Sequence, residues 1–471
     1  MRDTRFSIRL VATIMIVAIV AVSISYVAII GANRAKWINL ANNTRVADAK
    51  KITVQGKILD TTGTMLSMST KPGDRQYVED DTLRRALSHT IGDQKNMSFT
   101  GVENLHATKL LDMSETKTGY MFQKLTGQAP VGNDLYLTVS AELTEYIYSV
   151  FPAWKSGAVA VINYETGAIL AMLSLPNYDP ADMSLQVQDT AYYNRVLQKR
   201  YAPGSTFKII TLTSALENLG DIKHEEFACS GIWNYSSYAL RCASGAVHGE
   251  MSLTQAFADS CNVTFGSLAH RLGAGKLRQT AENFGFNFEF NFEDIRMNAS
   301  HCLHKSMQAE DAIQAGIGQG TTEVTPLHMA MISGAIANKG VMMEPKLIKE
   351  MKNAQGATVS TMTKEVFKVV TTPEIAEEVA RYMYETVRGG TGTRAAISDY
   401  TDGYVCGKTG SAEWTNDKTK DTNAWYTGFL YGDKAHPYAI AIVIEEGGYG
   451  GNAAAPLASK VLKKAIQLNL Y

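Results

Sequence analysis

From Leu10 to Ala32 the chain carries no charged residue and is rich in Ile, Val and Ala. In hydrocarbon every backbone N–H and C=O must be satisfied within the segment, which selects a helix. This run is long enough to span as one. Arg2, Arg5 and Arg9 precede it, so the positive-inside bias predicts a cytoplasmic tail at 1–9 and a transmembrane anchor at 10–32. A cleaved signal peptide is the rival reading. Its apolar region would be shorter, and no clear small-x-small site precedes polar sequence. An uncleaved, single-pass anchor is therefore expected, with everything after Arg34 outside the cytoplasm.

The chain has 471 residues, which predicts more than one domain. Its formal charge of -1 points to no nucleic-acid partner. Of the five Cys, Cys229 and Cys242 lie close together in "CSGIWNYSSYALRC". Outside the cytoplasm such a pair can form a disulfide, and the loop spacing favours one; two ordinary thiols are the alternative. Cys261, Cys302 and Cys406 read as small buried residues. "HCLH" at 301–304 lacks a second half at zinc-ligand spacing and reads as structural, so no metal site is expected.

Residues 34–150 are polar and turn-rich. "GKILDTTGTML" reads as strand, turn, strand, with Thr62-Gly63 at the turn. "DTLRRALSHTIGD" at 81–93 predicts a short helix. The character changes near Gly157. "GAVAVINYETGAILAMLSLP" is two apolar runs around Glu165-Thr166-Gly167, a hairpin signal. Helical patterns follow at 205–218, 252–272 and 325–338. "NAWYTGFLYG" and "PYAIAIVIEEG" then read as adjacent strands, and "PLASKVLKKAIQ" as an amphipathic closing helix. Strands at both ends with helices between predict an α+β domain at 151–471 around a mainly antiparallel sheet, preceded by a smaller mixed domain at 34–150.

Two S-x-x-K pairs and two K-T-G triplets compete for attention. Ser114, Lys117, Thr118 and Gly119 carry one of each in "MSETKTGYMF". A Ser nucleophile needs an adjacent base, and Lys three positions on along a helix lies on the same face. "YAPGSTFKIITLTSALENLG" meets that requirement: Pro203-Gly204 turns, Ser205 starts a helix, and Lys208 follows one turn later. Ile209, Ile210, Leu212 and Leu216 would bury the helix and desolvate Lys208, favouring its neutral form. The copy at 114 has no apolar helix behind it, and Lys117 cannot serve both motifs; it reads as a surface accident. Ser260-Cys261-Asn262, the one S-x-N in the chain, follows an apolar helical run. Lys408-Thr409-Gly410 falls on a strand, where Gly407 and Gly410 would let a substrate backbone approach. "GIGQG" at 316–320 lacks the Lys of a phosphate-binding loop and reads as a structural turn.

S-x-x-K, S-x-N and K-T-G in this order are the motif set of penicillin-recognising serine enzymes. With "GAVAVINYETGAILAMLSLPNYDP", "NRVLQKRYAPGSTFK", "CASGAVHGEMSLTQAFADSCNVTF", "AGIGQGTTEVTPLHMAMISGAIANKG" and "CGKTGSAEW", the chain resembles the membrane-anchored class B penicillin-binding proteins. "GKILDTTGTMLS" resembles the opening of their non-catalytic pedestal domain. The resemblance implies a D,D-transpeptidase of peptidoglycan stem peptides, acylated and inhibited by β-lactams, with no cofactor. It implies Ser205 as nucleophile, Lys208 as base and Ser260 as proton relay. Asn262 would hold the donor peptide, and Lys408 would supply positive charge. Thr409 and Ser411 would bind the terminal carboxylate, with Gly410 between them also at the substrate, and the backbone N–H groups of Ser205 and Ser411 would form the oxyanion hole. The stretch before the catalytic domain is short for a glycosyltransferase, so a separate membrane glycosyltransferase is the expected partner. A D,D-carboxypeptidase or β-lactamase would share the nucleophile, and a membrane β-lactam sensor is a third reading. The tail before the anchor leaves little room for a signalling part.

Overall fold

A computed structural model describes residues 2–38, 44–113, 127, 129–184, 188–236, 238–303, 308–413 and 421–470. The N-terminal helix runs Arg2–Ile38. Its stretch Phe6–Tyr26 is long and apolar enough to cross a membrane, and it is exposed along its length among the described residues.

The C-terminal part is built on five antiparallel strands: β1 (Gly157–Asn163), β2 (Ile169–Leu175), β3 (Tyr404–Ala412), β4 (Asn423–Tyr431) and β5 (Tyr438–Ile444). Their order across the sheet is β3-β4-β5-β1-β2. The hairpin expected around Glu165-Thr166-Gly167 is β1–β2, and the two apolar runs near the C-terminus are β4 and β5. Every residue of β1, β2 and β5 is buried, so these strands read as unbroken apolar runs rather than alternating ones.

Helices cover both faces. The labelled ones are α1 (Lys208–Asn218), α2 (Leu253–Ala258), α3 (Asn262–Asn283), α4 (Pro326–Ala337), α5 (Pro373–Gly389) and α6 (Gly450–Leu468). α4 is buried along its whole length and lies against β1, β4 and β5, while α6 closes the opposite face. The helical pattern at 252–272 is two helices, α2 and α3. They break at Ser260, whose φ of 59° is left-handed.

The second sheet corrects the domain boundary. Its order is Thr358–Thr361, Ile348–Lys352, Asp134–Leu137, Ile58–Leu59, Met65–Met68, Gln76–Tyr77. Two of its six strands come from the 151–471 segment. Ile348–Lys352 pairs antiparallel with Asp134–Leu137, so the pedestal is completed by chain that has already passed into the C-terminal part. The turn at Thr62-Gly63 lies between the paired strands Ile58–Leu59 and Met65–Met68, and the short helix near 81–93 is two turns, Asp81–Ala86 and Ser88–Ile91. The two sheets are stitched together: Thr138 Oγ1 donates to the carbonyls of Ile169 (2.8 Å) and Lys346 (3.0 Å), and the Ser140 N–H donates to Leu170 O at 2.9 Å. Inside the pedestal, Arg75 and Glu103 form a buried ion pair at 2.7 Å. Tyr77 Oη and Ser67 Oγ also donate to the Glu103 carboxylate.

Candidate active site

The turn that carries Ser205 is held from three sides. The Tyr201 and Val324 backbones exchange hydrogen bonds of 3.0 and 2.8 Å. The Trp425 indole N–H donates to Ala202 O at 3.1 Å. Gly204, at φ +54°, donates its N–H to Gly318 O at 2.9 Å. A Cβ at Gly204 would come within 2.9 Å of Ser411 O, and one at Gly318 within 2.0 Å of Gly204 O. Glycine is therefore required on both sides of this contact, and "GIGQG" braces the turn that carries Ser205. Residues Gly204–Phe207 wind as a 3₁₀ turn before α1 begins at Lys208. Side chains at i and i+3 eclipse in a 3₁₀ turn, so this winding sets Lys208 on the same side of the chain as Ser205. Ser205 is half-buried between buried neighbours.

Lys208 is fully buried. Its Nζ donates to Ser260 O (2.6 Å), Ser260 Oγ (3.2 Å) and Asn262 Oδ1 (2.7 Å). The break between α2 and α3 thus wraps S-x-N around the base. Asn262 is fixed at its other end, where Nδ2 donates to Arg241 O at 2.9 Å. Burial pulls the Lys208 ammonium down to a pKa of about 7. Near neutral pH it is poised between base and acid.

Lys408 is also fully buried, on β3, with its Nζ 3.1 Å from Thr409 O and 5.6 Å from the centre of the Phe257 ring. Burial, together with the charge of Lys208, pushes its pKa well below the ordinary lysine value. Among the described residues, Lys208 Nζ has three oxygen acceptors and Lys408 Nζ has one, the Thr409 carbonyl.

A Cβ on Gly407 would strike the Tyr426 hydroxyl at 2.0 Å, and one on Gly410 would meet Pro203 O at 2.9 Å. These glycines make room for the protein's own Tyr426 ring and for the turn that carries Ser205. Thr409 Oγ1 lies 2.6 Å from Thr391 Oγ1, and the Thr391 N–H donates to Ala258 O at 3.0 Å. Ser411 Oγ accepts from Gly450 N–H at 3.2 Å. Thr391, in the loop after α5, carried no signal in sequence. Nor did the hydrogen bond that joins Ser244 Oγ to Tyr449 Oη. Glu445, just past β5, anchors the approach to the nucleophile: Arg195, Lys199 and Tyr201 all donate to its Oε1 at 2.8 Å.

The cysteine pair departs from expectation. Cys229 and Cys242 are free thiols with sulfurs 3.6 Å apart, well beyond a disulfide bond. Each has a further partner, described below. In "HCLH", Cys302 accepts a long contact from Thr322 Oγ1 at 3.9 Å; His304 lies outside the described residues, as do Ser114, Lys117, Thr118 and Gly119.

Residues 157–463 match the family model for the penicillin-binding protein transpeptidase domain. The chain is 29% identical over 402 residues to the peptidoglycan D,D-transpeptidase PbpA of Mycolicibacterium smegmatis, covering 79% of this chain and 80% of that one. It is 29% identical over 464 residues to the stage V sporulation protein D of Bacillus subtilis, covering 90% and 70%. The solved ceftriaxone acyl-enzyme of penicillin-binding protein A from M. tuberculosis superposes with a TM-score of 0.80 at 25% identity, covering 89% of this chain and all of that one. Three motifs converging on one cleft, in the sheet and helices that such enzymes share, make this chain a member of the penicillin-binding protein transpeptidase family.

Proposed function

We propose that this chain is a serine D,D-transpeptidase of peptidoglycan, carried on its N-terminal helix with the catalytic part outside the cytoplasm. The observation that carries this reading is the buried Lys208 ammonium, held by both ends of S-x-N and placed one 3₁₀ turn after Ser205.

In its neutral form Lys208 takes the Ser205 proton as Oγ attacks the penultimate D-Ala carbonyl. The backbone N–H groups of Ser205 and Ser411 receive the developing oxyanion. Ser260, within 3.2 Å of Lys208 Nζ, passes the proton to the departing D-Ala amine. The terminal carboxylate sits at Thr409 and Ser411, and its charge draws a proton back onto Lys408. A neighbouring stem peptide's amine then attacks the ester, Ser205 recovers its proton, and a cross-link is formed. β-Lactams enter as mimics of the D-Ala-D-Ala end and stop at the ester. A separate membrane glycosyltransferase supplies the glycan strands.

Two measurements test this. Ser205→Ala is expected to abolish covalent labelling by a fluorescent penicillin while Ser114→Ala leaves it intact; labelling that survives at Ser205→Ala would sink the assignment. Purified protein given paired stem peptides should yield cross-linked dimers. Hydrolysed monomers alone would identify a carboxypeptidase.

A further inference from the structure

Beside the cleft, four side chains from four segments meet. Cys229 ends the strand Glu226–Cys229, which pairs with Gly249–Ser252 in a register that sets Gly249 opposite Cys229. That register brings His248, the preceding residue, against Cys229: Nδ1 lies 3.3 Å from Sγ. Cys242 follows the strand Tyr238–Arg241 and is tied by its N–H to Gly231 O at 3.0 Å. Cys261 caps α3 and lies 3.8 Å from Cys242, sulfur to sulfur. All four ligand atoms fall within 4.8 Å of one another, the three thiols buried and the imidazole half-buried.

These spacings fit a coordination polyhedron. Zinc bound at about 2.3 Å to sulfur and about 2.0–2.1 Å to nitrogen, with tetrahedral angles, requires S···S edges of about 3.8 Å and S···N edges of about 3.6 Å. Three of the six edges measure 3.6, 3.8 and 3.3 Å, and all six lie within 4.8 Å. Three thiolates and one imidazole select a thiophilic ion rather than magnesium or calcium. Four protein ligands leave no open position, which is the pattern of a structural site rather than a catalytic one.

The geometry points to a Cys3His zinc site, formed by Cys229, Cys242, His248 and Cys261, that clips the S-x-N segment to the wall of the cleft. On binding, each thiol gives a proton to solvent and its sulfur becomes a thiolate ligand; the imidazole binds neutral, and no electron changes hands. Cys261 lies between Ser260 and Asn262, the two residues that hold Lys208, and Cys242 follows Arg241, whose carbonyl holds Asn262. The ion therefore fixes both ends of the scaffold that orients the base, and its ligands are positioning residues.

The test uses the full chain in detergent, purified without chelator. Elemental analysis is expected to find about one zinc per chain, and cobalt substitution to give thiolate-to-metal charge-transfer bands. Cys229→Ser and His248→Ala should weaken the metal by more than the roughly 10–100-fold that loss of an outer-shell partner costs. Cys302→Ala, outside the cluster, should retain it. Should the ligand variants fail to fold, wild-type protein still decides: zinc should shield three thiols from alkylation in mass mapping, and its removal should slow acylation by penicillin. Wild-type protein that binds neither zinc nor cobalt, ligand variants that keep the metal, or a disulfide recovered within the cluster from metal-free protein as isolated would each overturn the site. Acylation indifferent to metal removal would overturn the clip.

Discussion

In the pedestal, Arg75 is buried against Glu103, and Tyr77 and Ser67 complete the carboxylate's hydrogen bonds. In the cleft, Lys208 and Lys408 are buried as deeply, and among the described residues neither makes an ion pair; their partners are neutral oxygens. On the proposed mechanism, the difference separates a charge kept for structure from one kept for chemistry. A counter-charge at contact distance makes the ionised state the only tolerable one, and removing it strands a buried ion. Neutral acceptors hold an ammonium in place without fixing its charge, so burial can bring its pKa down to where a proton moves easily. Arginine suits the first setting because it never deprotonates; lysine suits the second because it does.

Substitutions on each side can break that contrast. Lys208→Arg should have the largest effect. A guanidinium stays protonated and removes the base, so the acylation rate with penicillin should fall on the order of 10²–10⁴-fold while the fold survives. Near wild-type acylation would contradict the role given to Lys208. Glu103→Ala should instead cost stability, about 3–5 kcal/mol in chemical denaturation, by leaving Arg75 buried and unpaired. Labelling per folded molecule should be unchanged, so a loss of intrinsic acylation would show the pedestal pair to be part of the chemistry. Lys408→Arg should remain within about tenfold of wild type, since a cation still meets the carboxylate. If it proves the more damaged of the two lysine variants, the roles are reversed. The gentlest probe is pH. On the proposed mechanism Lys208 acts when neutral, and burial brings its pKa to about 7, so acylation should climb as pH rises through 7 and level off above. A profile flat from pH 5 to 9 would remove Lys208 titration from the mechanism.

What was legible in the sequence was what depends on neighbours in the chain. The β1–β2 hairpin, α4, the paired strands β4 and β5 and the helix after Ser205 all follow from local periodicity and turn residues. The copy at 114 lies outside the described residues, so of the two S-x-x-K pairs only the one at Ser205 and Lys208 can be placed on a helix start. What required distant partners stayed hidden. The thiol–imidazole cluster draws on positions 229, 242, 248 and 261, whose meeting is set by strand register and by the α2–α3 break, whereas the contiguous "HCLH" attracted attention by proximity alone. Gly407 and Gly410 were recognised as positions of close approach, but the approaching groups, the Tyr426 hydroxyl and the Pro203 carbonyl, come from other elements. The domain limit at 150 failed because the pedestal strands are two to five residues long, and one of them pairs with residues 348–352.

That returning pair of strands bears on how the molecule can be cut. A fragment trimmed to the family-matched span, 157–463, would keep Ile348–Lys352 and Thr358–Thr361 but lose Asp134–Leu137, the partner that covers the inner edge. The exposed row of N–H and C=O groups is a template for pairing with another copy. Such a fragment should retain its cleft and yet associate through this edge. A soluble, monomeric form suited to crystallisation or inhibitor screening has to start upstream of Ile58, so that the whole six-stranded sheet is preserved.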